Sequence, residues 1–339
     1  MQVHRDLLQL PSFQNAVITI GTFDGVHAGH RKIIAQLKKE AEQIGGETVI
    51  ITFHPHPRKV VREGQSAVPI LTTLPEKIQL LDELGINHLV VIPFNEAFAS
   101  QTADEYIENF LYQKFHPHTI IIGYDHKFGK GRSGNYQLLE VYGSKLGFTV
   151  KEIPEHVLNE ITISSTKIRE ALLNHDIETA NQFLSYHYFF EGLVVKGKQL
   201  GRTLGYPTAN IEVQDKEKLI PGNGIYVVEA SLQSSAISGQ QSAISNQLSE
   251  ATNNRISHAS YLPPHSLQGM MSIGLNPTVN GTQRTIEVNL FDFDKDIYGQ
   301  TIRISLRHYL RAEEKFNGLN ALIQQLHKDK ENSLNIFNC

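Results

Sequence analysis

The hydrophobic rhythm of this chain changes once, near residue 186, and that change calls for two folding units of different class. Before it, short β-branched runs at 17–20, 48–53, 88–93, 119–123 and 148–153 alternate with stretches of helical period. The helical stripes are Ile33, Ile34, Leu37, Ala41 and Ile44; then Ile78, Leu81 and Leu84; then Tyr106, Ile107, Phe110 and Leu111; then Leu138, Leu139 and Tyr142. Strand and helix in alternation imply parallel pairing with right-handed crossovers, so residues 1–185 are expected to form a Rossmann-like, doubly wound α/β sheet. Helices at 167–174 and 176–185 should end that unit. Beyond it, runs at 188–195, 208–213, 224–230, 270–273, 284–293 and 300–309 follow one another with no helical period between them. Residues 186–339 are therefore expected to form a small six-stranded antiparallel β-barrel, crossed by a C-terminal helix bearing Phe316, Leu319, Ile323 and Leu326.

Composition narrows the partners. At 339 residues each unit is long enough to bury a core. With 31 basic and 35 acidic residues and a net charge of -4, no global field recruits nucleic acid or an anionic membrane. The one cysteine, Cys339, leaves no internal disulfide, and no signal-like or membrane-spanning apolar run is present, so a cytoplasmic protein is expected. Residues 231–268 are rich in Ser, Gln and Asn, with Ser235-Ala236-Ile237-Ser238 echoed at Ser242-Ala243-Ile244-Ser245. Too few apolar groups occur there to offset ordering entropy, so a disordered hairpin insertion is expected.

Phosphate chemistry is written in both halves. After the 17–20 run, Gly21-Thr22-Phe23-Asp24-Gly25-Val26-His27-Ala28-Gly29-His30 reads as a glycine turn opening a helix, where backbone N–H groups and the helix dipole receive an anion. His27 and His30, three residues apart, share one face of the first turn. Imidazoles so placed donate to oxygens that gain charge in a transition state. A second block, Ile163-Ser164-Ser165-Thr166-Lys167-Ile168-Arg169, sets hydroxyls at a helix start with a guanidinium one turn on; the hydroxyls also suit plain capping. In the barrel, Gly201-Arg202-Thr203-Leu204-Gly205-Tyr206-Pro207-Thr208-Ala209-Asn210 joins glycines to two hard oxygen donors, Thr208 and Asn210, on one face of an extended segment. Such donors suit Mg²⁺. Downstream, Glu287 and Asn289 alternate with Ile286, Val288 and Leu290; from the strand alone Glu287 is an ordinary exposed glutamate.

The first two blocks resemble the HxGH and ISSTxxR signatures of the nucleotidyltransferase superfamily, and Gly201 to Asn210 resembles the GRxLGxPTAN block of riboflavin kinases. Pro221-Gly222-Asn223-Gly224-Ile225-Tyr226, Ile273 to Thr278 and Leu310 to Phe316 resemble the same kinases. Nearly the whole chain is thus similar to the prokaryotic bifunctional riboflavin kinase/FMN adenylyltransferase family. The resemblance implies that Glu287 is the general base for riboflavin phosphorylation, with Mg²⁺ on Thr208 and Asn210. It implies adenylyl transfer to FMN by His27, His30 and Arg169. Nucleotide and substrate contacts are implied for Gly21, Phe23, Asp24, Gly25, His56, Asp125, Ser164, Ser165 and Thr166, and for Gly197, Gly201, Arg202, Gly205, Pro207 and Asn289. ATP, riboflavin and FMN would be the small-molecule partners. Three positions depart from the pattern: His54 for an acidic residue, Asn289 for histidine and Tyr309 for phenylalanine. Gly192 to Gln199 nearly spells a Walker A loop, but Gln199 fills the Ser/Thr position, the residues between are strand formers, and no helix is expected after it. The alternatives are another HxGH nucleotidyltransferase with an idle barrel and a non-catalytic nucleotide sensor.

Overall fold

The computed structural model describes residues 1–61, 68–153, 163–197, 200–232, 266–278 and 281–338. The five expected runs of the first half form β2 (Val17–Ile20), β3 (Thr48–His54), β4 (His88–Pro93), β5 (Thr119–Gly123) and β6 (Thr149–Ile153), joined by a short edge strand, β1 (Gln2–His4), too brief to carry a sequence signal. All neighbours pair in parallel, in the order β1-β4-β3-β2-β5-β6. The direction of winding reverses between β2 and β5, so a crevice opens at their carboxyl ends. The loops that begin at Gly21 and Tyr124 leave the sheet there.

Ile18, Ile20, Val49, Ile51, Ile120 and Ile122 bury against Tyr106, Ile107, Phe110 and Leu111. Those four come from a stretch wound as a π-helix, Tyr106–Tyr112, rather than at the expected 3.6-residue period. The wider turn keeps all four bulky side chains on the core side, and Phe110 meets Phe98 edge-on at 5.0 Å.

By contact grouping the chain divides into Met1–Thr166 and Lys167–Cys339, each a compact unit. The helix Ile177–Leu184 falls in the second: Asn181 donates to the Leu306 carbonyl at 2.9 Å and accepts from the Tyr188 N–H at 2.7 Å. The sequence rhythm, which registers period and not contact, puts the change at 185/186.

The second unit is a closed barrel of antiparallel strands, in the order β10-β11-β8-β7-β12-β9. Its strands are β7 (Phe189–Val195), β8 (Ala209–Glu212), β9 (Gly224–Leu232), β10 (Leu267–Thr278), β11 (Gly281–Leu290) and β12 (Thr301–Arg311). Alternate residues such as Val194, Ile211, Ile286, Val288, Ile302 and Ile304 fill the interior. Gly192 makes one tight approach possible, since a Cβ there would lie 2.4 Å from the Ile211 side chain.

Three expectations need correction. Ser231, Leu232, Leu267 and Gln268 are paired strand residues, not part of an irregular insertion; of that expectation, residues 233–265 lie outside the described residues. Pairing lets a polar strand end persist where composition alone reads a loop. β11 stops at Leu290, and the chain turns at Asp292, whose φ is 51°. The C-terminal helix, Leu319–Phe337, begins after Gly318; Phe316 precedes it and Leu319 is 59 % exposed. Its packing side is carried further along by Leu326, Leu334 and Phe337, which meet Tyr206, Met270 and Phe291. A bidentate ion pair fixes its rotation: Arg311 donates to both oxygens of the buried Asp329 carboxylate at 2.6–3.2 Å.

Candidate active sites

In the first unit the turn after β2 is built from backbone that ordinary residues resist. Phe23 and Val26 have φ of 48° and 39°, on either side of Gly25 at 84°. Side chains rarely adopt such values, so neighbouring groups must hold the turn. Asp24, which is buried, accepts from the Leu71 and Thr72 N–H groups at 2.9 and 3.1 Å, and the Gly25 N–H donates to Thr72 Oγ1 at 3.0 Å. Ser165 Oγ donates to the Asp24 carbonyl at 3.0 Å, which brings the second block's helix start onto the first block's turn across 141 positions of sequence.

The helix Ala28–Ile44 starts at His27 with no side-chain cap among the described residues and no acidic residue in its first turn. Its leading N–H groups are therefore available to an anion. The His27 and His30 rings stack at 3.7 Å and 19°. Gly29 permits this, because a Cβ there would sit 3.2 Å from the His27 ring. Phe23 packs on the other side of His30 at 4.9 Å. Burial first, then His27 and Lys77, hold the His30 pKa well below that of a free imidazole. His30 Nδ1 is buried with no hydrogen-bond partner among the described residues.

Arg169 is buried and lies one turn beyond Ser165 on the helix Ser165–Leu173, while Ser164 and Thr166 are exposed. His56 follows β3 and accepts from the Arg58 N–H at 3.2 Å. Asp125 is exposed after β5; its neighbour His126 has a buried Nε2 with no hydrogen-bond partner among the described residues, and burial lowers its pKa to about 4.

Sequence reasoning missed Lys77. It is buried on the helix Leu74–Glu83, beside Thr52, and burial lowers its pKa to about 8 against the raising effect of Asp24. A signal exists: Lys77 sits three and four residues before Leu80 and Leu81, on the apolar face.

In the barrel, register does the assembling. Glu287 on β11 stands directly opposite Asn210 on β8, and Thr208 Oγ1 donates to Glu287 Oε2 at 3.3 Å although the two are 79 positions apart. Gly197 leaves room for the Asn210 amide, since a Cβ there would overlap it at 2.0 Å. Asn289 is buried and donates to the Pro207 carbonyl at 2.7 Å, so it steadies the glycine loop. Within that loop the Tyr206 N–H closes onto the Gly201 carbonyl at 2.8 Å, Gly205 takes a φ of 80°, and Arg202 is exposed. One helical turn, Leu200–Thr203, does follow the Walker-like stretch, which corrects the expectation of none; a single turn is too short to present the helix dipole of a P-loop. Tyr206 OH meets His327 Nδ1 of the C-terminal helix at 2.5 Å.

Among the described residues no helix is long and apolar enough to cross a membrane. Residues 10–167 match the family described as FAD synthetase, and residues 184–337 match riboflavin kinase. The bifunctional riboflavin kinase/FMN adenylyltransferase of Haemophilus influenzae is 34 % identical, over 96 % of this chain and 95 % of that one. Its namesake from Bacillus subtilis is 33 % identical, over 95 % and 92 %. A crystal structure named as a macrolide-efflux protein from Streptococcus pneumoniae matches with a TM-score of 0.81 at 26 % identity, covering 98 % of each chain. That name denotes transport, whereas the two sequence relatives are named as enzymes and match at higher identity. With relatives aligned over nearly the whole of both chains and both halves matched in order, the chain belongs to the bifunctional riboflavin kinase/FMN adenylyltransferase family.

Proposed function

We propose that the barrel phosphorylates riboflavin with ATP at Glu287, and that the parallel-sheet unit adenylates the resulting FMN with a second ATP at His27 and His30. One observation carries the reading: each unit gathers its own phosphate-handling cluster, the stacked imidazoles at an uncapped helix start in one and the Thr208–Glu287 contact in the other.

In the kinase step Glu287 accepts the proton of the ribityl 5'-hydroxyl. The oxygen then bonds to the γ-phosphorus, the bond from that phosphorus to the bridging oxygen breaks, and ADP leaves. Gly197, Gly201, Arg202, Gly205, Pro207 and Asn289 shape the loop that receives the nucleotide. Thr208 and Asn210 fit Mg²⁺: both carry hard oxygens, and register sets Asn210 beside Glu287 while Thr208 bonds it. Bound there, the ion would neutralise phosphate charge.

In the second step an FMN phosphate oxygen bonds to the α-phosphorus of ATP and pyrophosphate leaves. The attacking phosphate is already ionised at neutral pH, so orientation and charge neutralisation matter more than a base. His27, His30 and the leading N–H groups of Ala28–Ile44 receive the phosphates, with Ser165 and Arg169 on the leaving pyrophosphate. Phe23, Asp24 and Gly25 hold the turn; His56 and Asp125 border the pocket. Both reactions draw on cytoplasmic ATP, and we place the enzyme there.

Incubation with riboflavin, ATP and Mg²⁺, followed by separation of flavins, tests the reading. FMN and FAD should both accumulate. FMN alone would mean a silent first unit, and no turnover would favour a nucleotide sensor.

A further inference from the structure

The glycine loop of the barrel meets the C-terminal helix through Tyr206, a residue that no step above uses. Its N–H closes onto the Gly201 carbonyl at 2.8 Å, and a Cβ on Gly201 would lie 2.3 Å from the Tyr206 carbonyl oxygen, so the two ends of this turn are pressed together. On the other side, the Pro207 carbonyl accepts from Asn289 at 2.7 Å, and Thr208 Oγ1 donates to Glu287 at 3.3 Å. Any displacement of Tyr206 therefore reaches both the loop and a proposed metal ligand. Glycines leave such a loop many conformations, so what orders it must come from its neighbours.

The Tyr206 ring is buried with Met270 and Phe291 against Leu326, Leu334 and Phe337 of the helix Leu319–Phe337. Its hydroxyl meets His327 Nδ1 at 2.5 Å, and the two rings stand edge-on at 5.4 Å and 70°. With the imidazole neutral, the phenol donates and Nδ1 accepts. At 3.6 residues per turn His327 and Asp329 lie roughly 160° apart around the helix, with Leu326, Leu334 and Phe337 in the arc between them. At one margin of that arc the buried Asp329 holds Arg311, from the end of β12, by two oxygens at 2.6–3.2 Å, and accepts from Gln325 at 2.8 Å. At the other margin stands His327, an exposed residue whose Nδ1 faces the loop. One polar contact thus ties the helix to the barrel wall, and the other ties it to the loop.

We propose that His327 is a positioning residue for the kinase step: through Tyr206 it braces the glycine loop against a helix that Arg311 and Asp329 hold on the barrel, and so it sets the affinity for ATP. The assignment rests on the kinase reading of the barrel. Its physical content is preorganisation. Without the bond the nucleotide must order the loop as it binds, and that penalty appears as weaker binding and not as slower chemistry. Glu287 keeps its register opposite Asn210 in either case, so transfer from bound ATP is little altered.

The experiment uses the full chain. Tyr206→Phe keeps the ring and removes the hydroxyl, and His327→Leu removes the acceptor. His327→Asn retains one, because Oδ1 stands where Nδ1 stood. Riboflavin phosphorylation at saturating riboflavin gives KM for ATP and kcat, with adenylyl transfer to supplied FMN as internal control. Tyr206→Phe and His327→Leu should each raise KM about threefold to tenfold, the scale of one hydrogen bond, with kcat changed by less than about twofold. The double variant should show no larger rise than either single one, and His327→Asn should recover most of the lost affinity. Adenylyl transfer should hold at the parent rate throughout. A rise with Tyr206→Phe and none with His327→Leu would mean that the hydroxyl acts alone, and would overturn the proposal. So would rises that multiply in the double variant, an unmoved KM in both single variants, or a loss of kcat at constant KM, the mark of a merely structural contact. Should His327→Leu fail to fold, by its thermal midpoint, His327→Ala takes its place at this exposed position. Undiminished FMN formation in Glu287→Gln would instead defeat the kinase reading beneath the proposal, and so the two failures are told apart.

Discussion

In the parallel-sheet unit the groups proposed to meet phosphate lie between Gly21 and His30, whereas in the barrel the carboxylate and hydroxyl that touch are 79 positions apart. The first arrangement is a property of one turn and the helix it opens. The second exists only when β8 and β11 pair in the right register. A one-residue slip of that pairing would turn Glu287 into the barrel and bring Ile286 or Val288 out. The two units also differ in how their groups are placed: His30 in the first is buried, which holds its imidazole pKa low, while Glu287 is half-buried on its strand.

That contrast can be broken most sharply at Glu287. Glu287→Gln keeps the shape and the contact to Thr208 but removes the proposed base, so FMN formation from riboflavin should fall by about 10²–10⁴-fold. FAD formation from supplied FMN should stay at the parent rate, as product separation by chromatography will show. Next comes His30→Ala, which removes one donor from the phosphate turn; FAD formation should fall by about 10²–10³-fold with FMN formation intact. A drop in both activities in either variant would mean that the two clusters are not independent.

A smaller effect sharpens the role of the loop. Asn289→Ala removes the hydrogen bond to the carbonyl of the exposed Pro207, a change of about 0.5–1.5 kcal/mol. The glycine loop should loosen and the KM for ATP in the kinase step should rise roughly tenfold, with kcat less affected. An unchanged KM would make that bond incidental. The smallest effect belongs to His126. Its folded pKa of about 4 lies below the unfolded value of 6.5, so the unfolded chain binds more protons between those limits. Its contribution is fully present above about pH 6.5 and is lost as pH falls toward 4; the thermal midpoint of the first unit should decline over that window, and His126→Phe should flatten the decline.

How much of this was legible before the structure follows the same divide. Gly21 to His30 is local chemistry, and the turn, the helix start and the paired imidazoles were all readable from spacing. Ser165 was readable as a hydroxyl at a helix start, yet its bond to the Asp24 carbonyl spans 141 positions and needed the fold. Lys77 was passed over because lysine on a helix is normally solvated; only its neighbours Leu80 and Leu81 betray a buried face. In the barrel, alternation placed Glu287 and Asn289 on one side of β11, but not the partner each would find. The Asn289 amide turned out to bond the Pro207 carbonyl. β1, with three residues, gave the sequence too little period to register. The tilt of the C-terminal stripe away from Leu319 depended on where Gly318 let the helix begin.

The central claim is that one chain holds a pair of separable phosphate-transfer sites, and mixing tests it most directly. Full-length Glu287→Gln and His30→Ala should each fail to convert riboflavin to FAD at an appreciable rate. Combined in equal amounts with riboflavin, ATP and Mg²⁺, they should restore FAD, because FMN made by one protein feeds the other. A mixture that yields no FAD beyond the single variants, with FMN accumulating to saturating levels, would contradict the account.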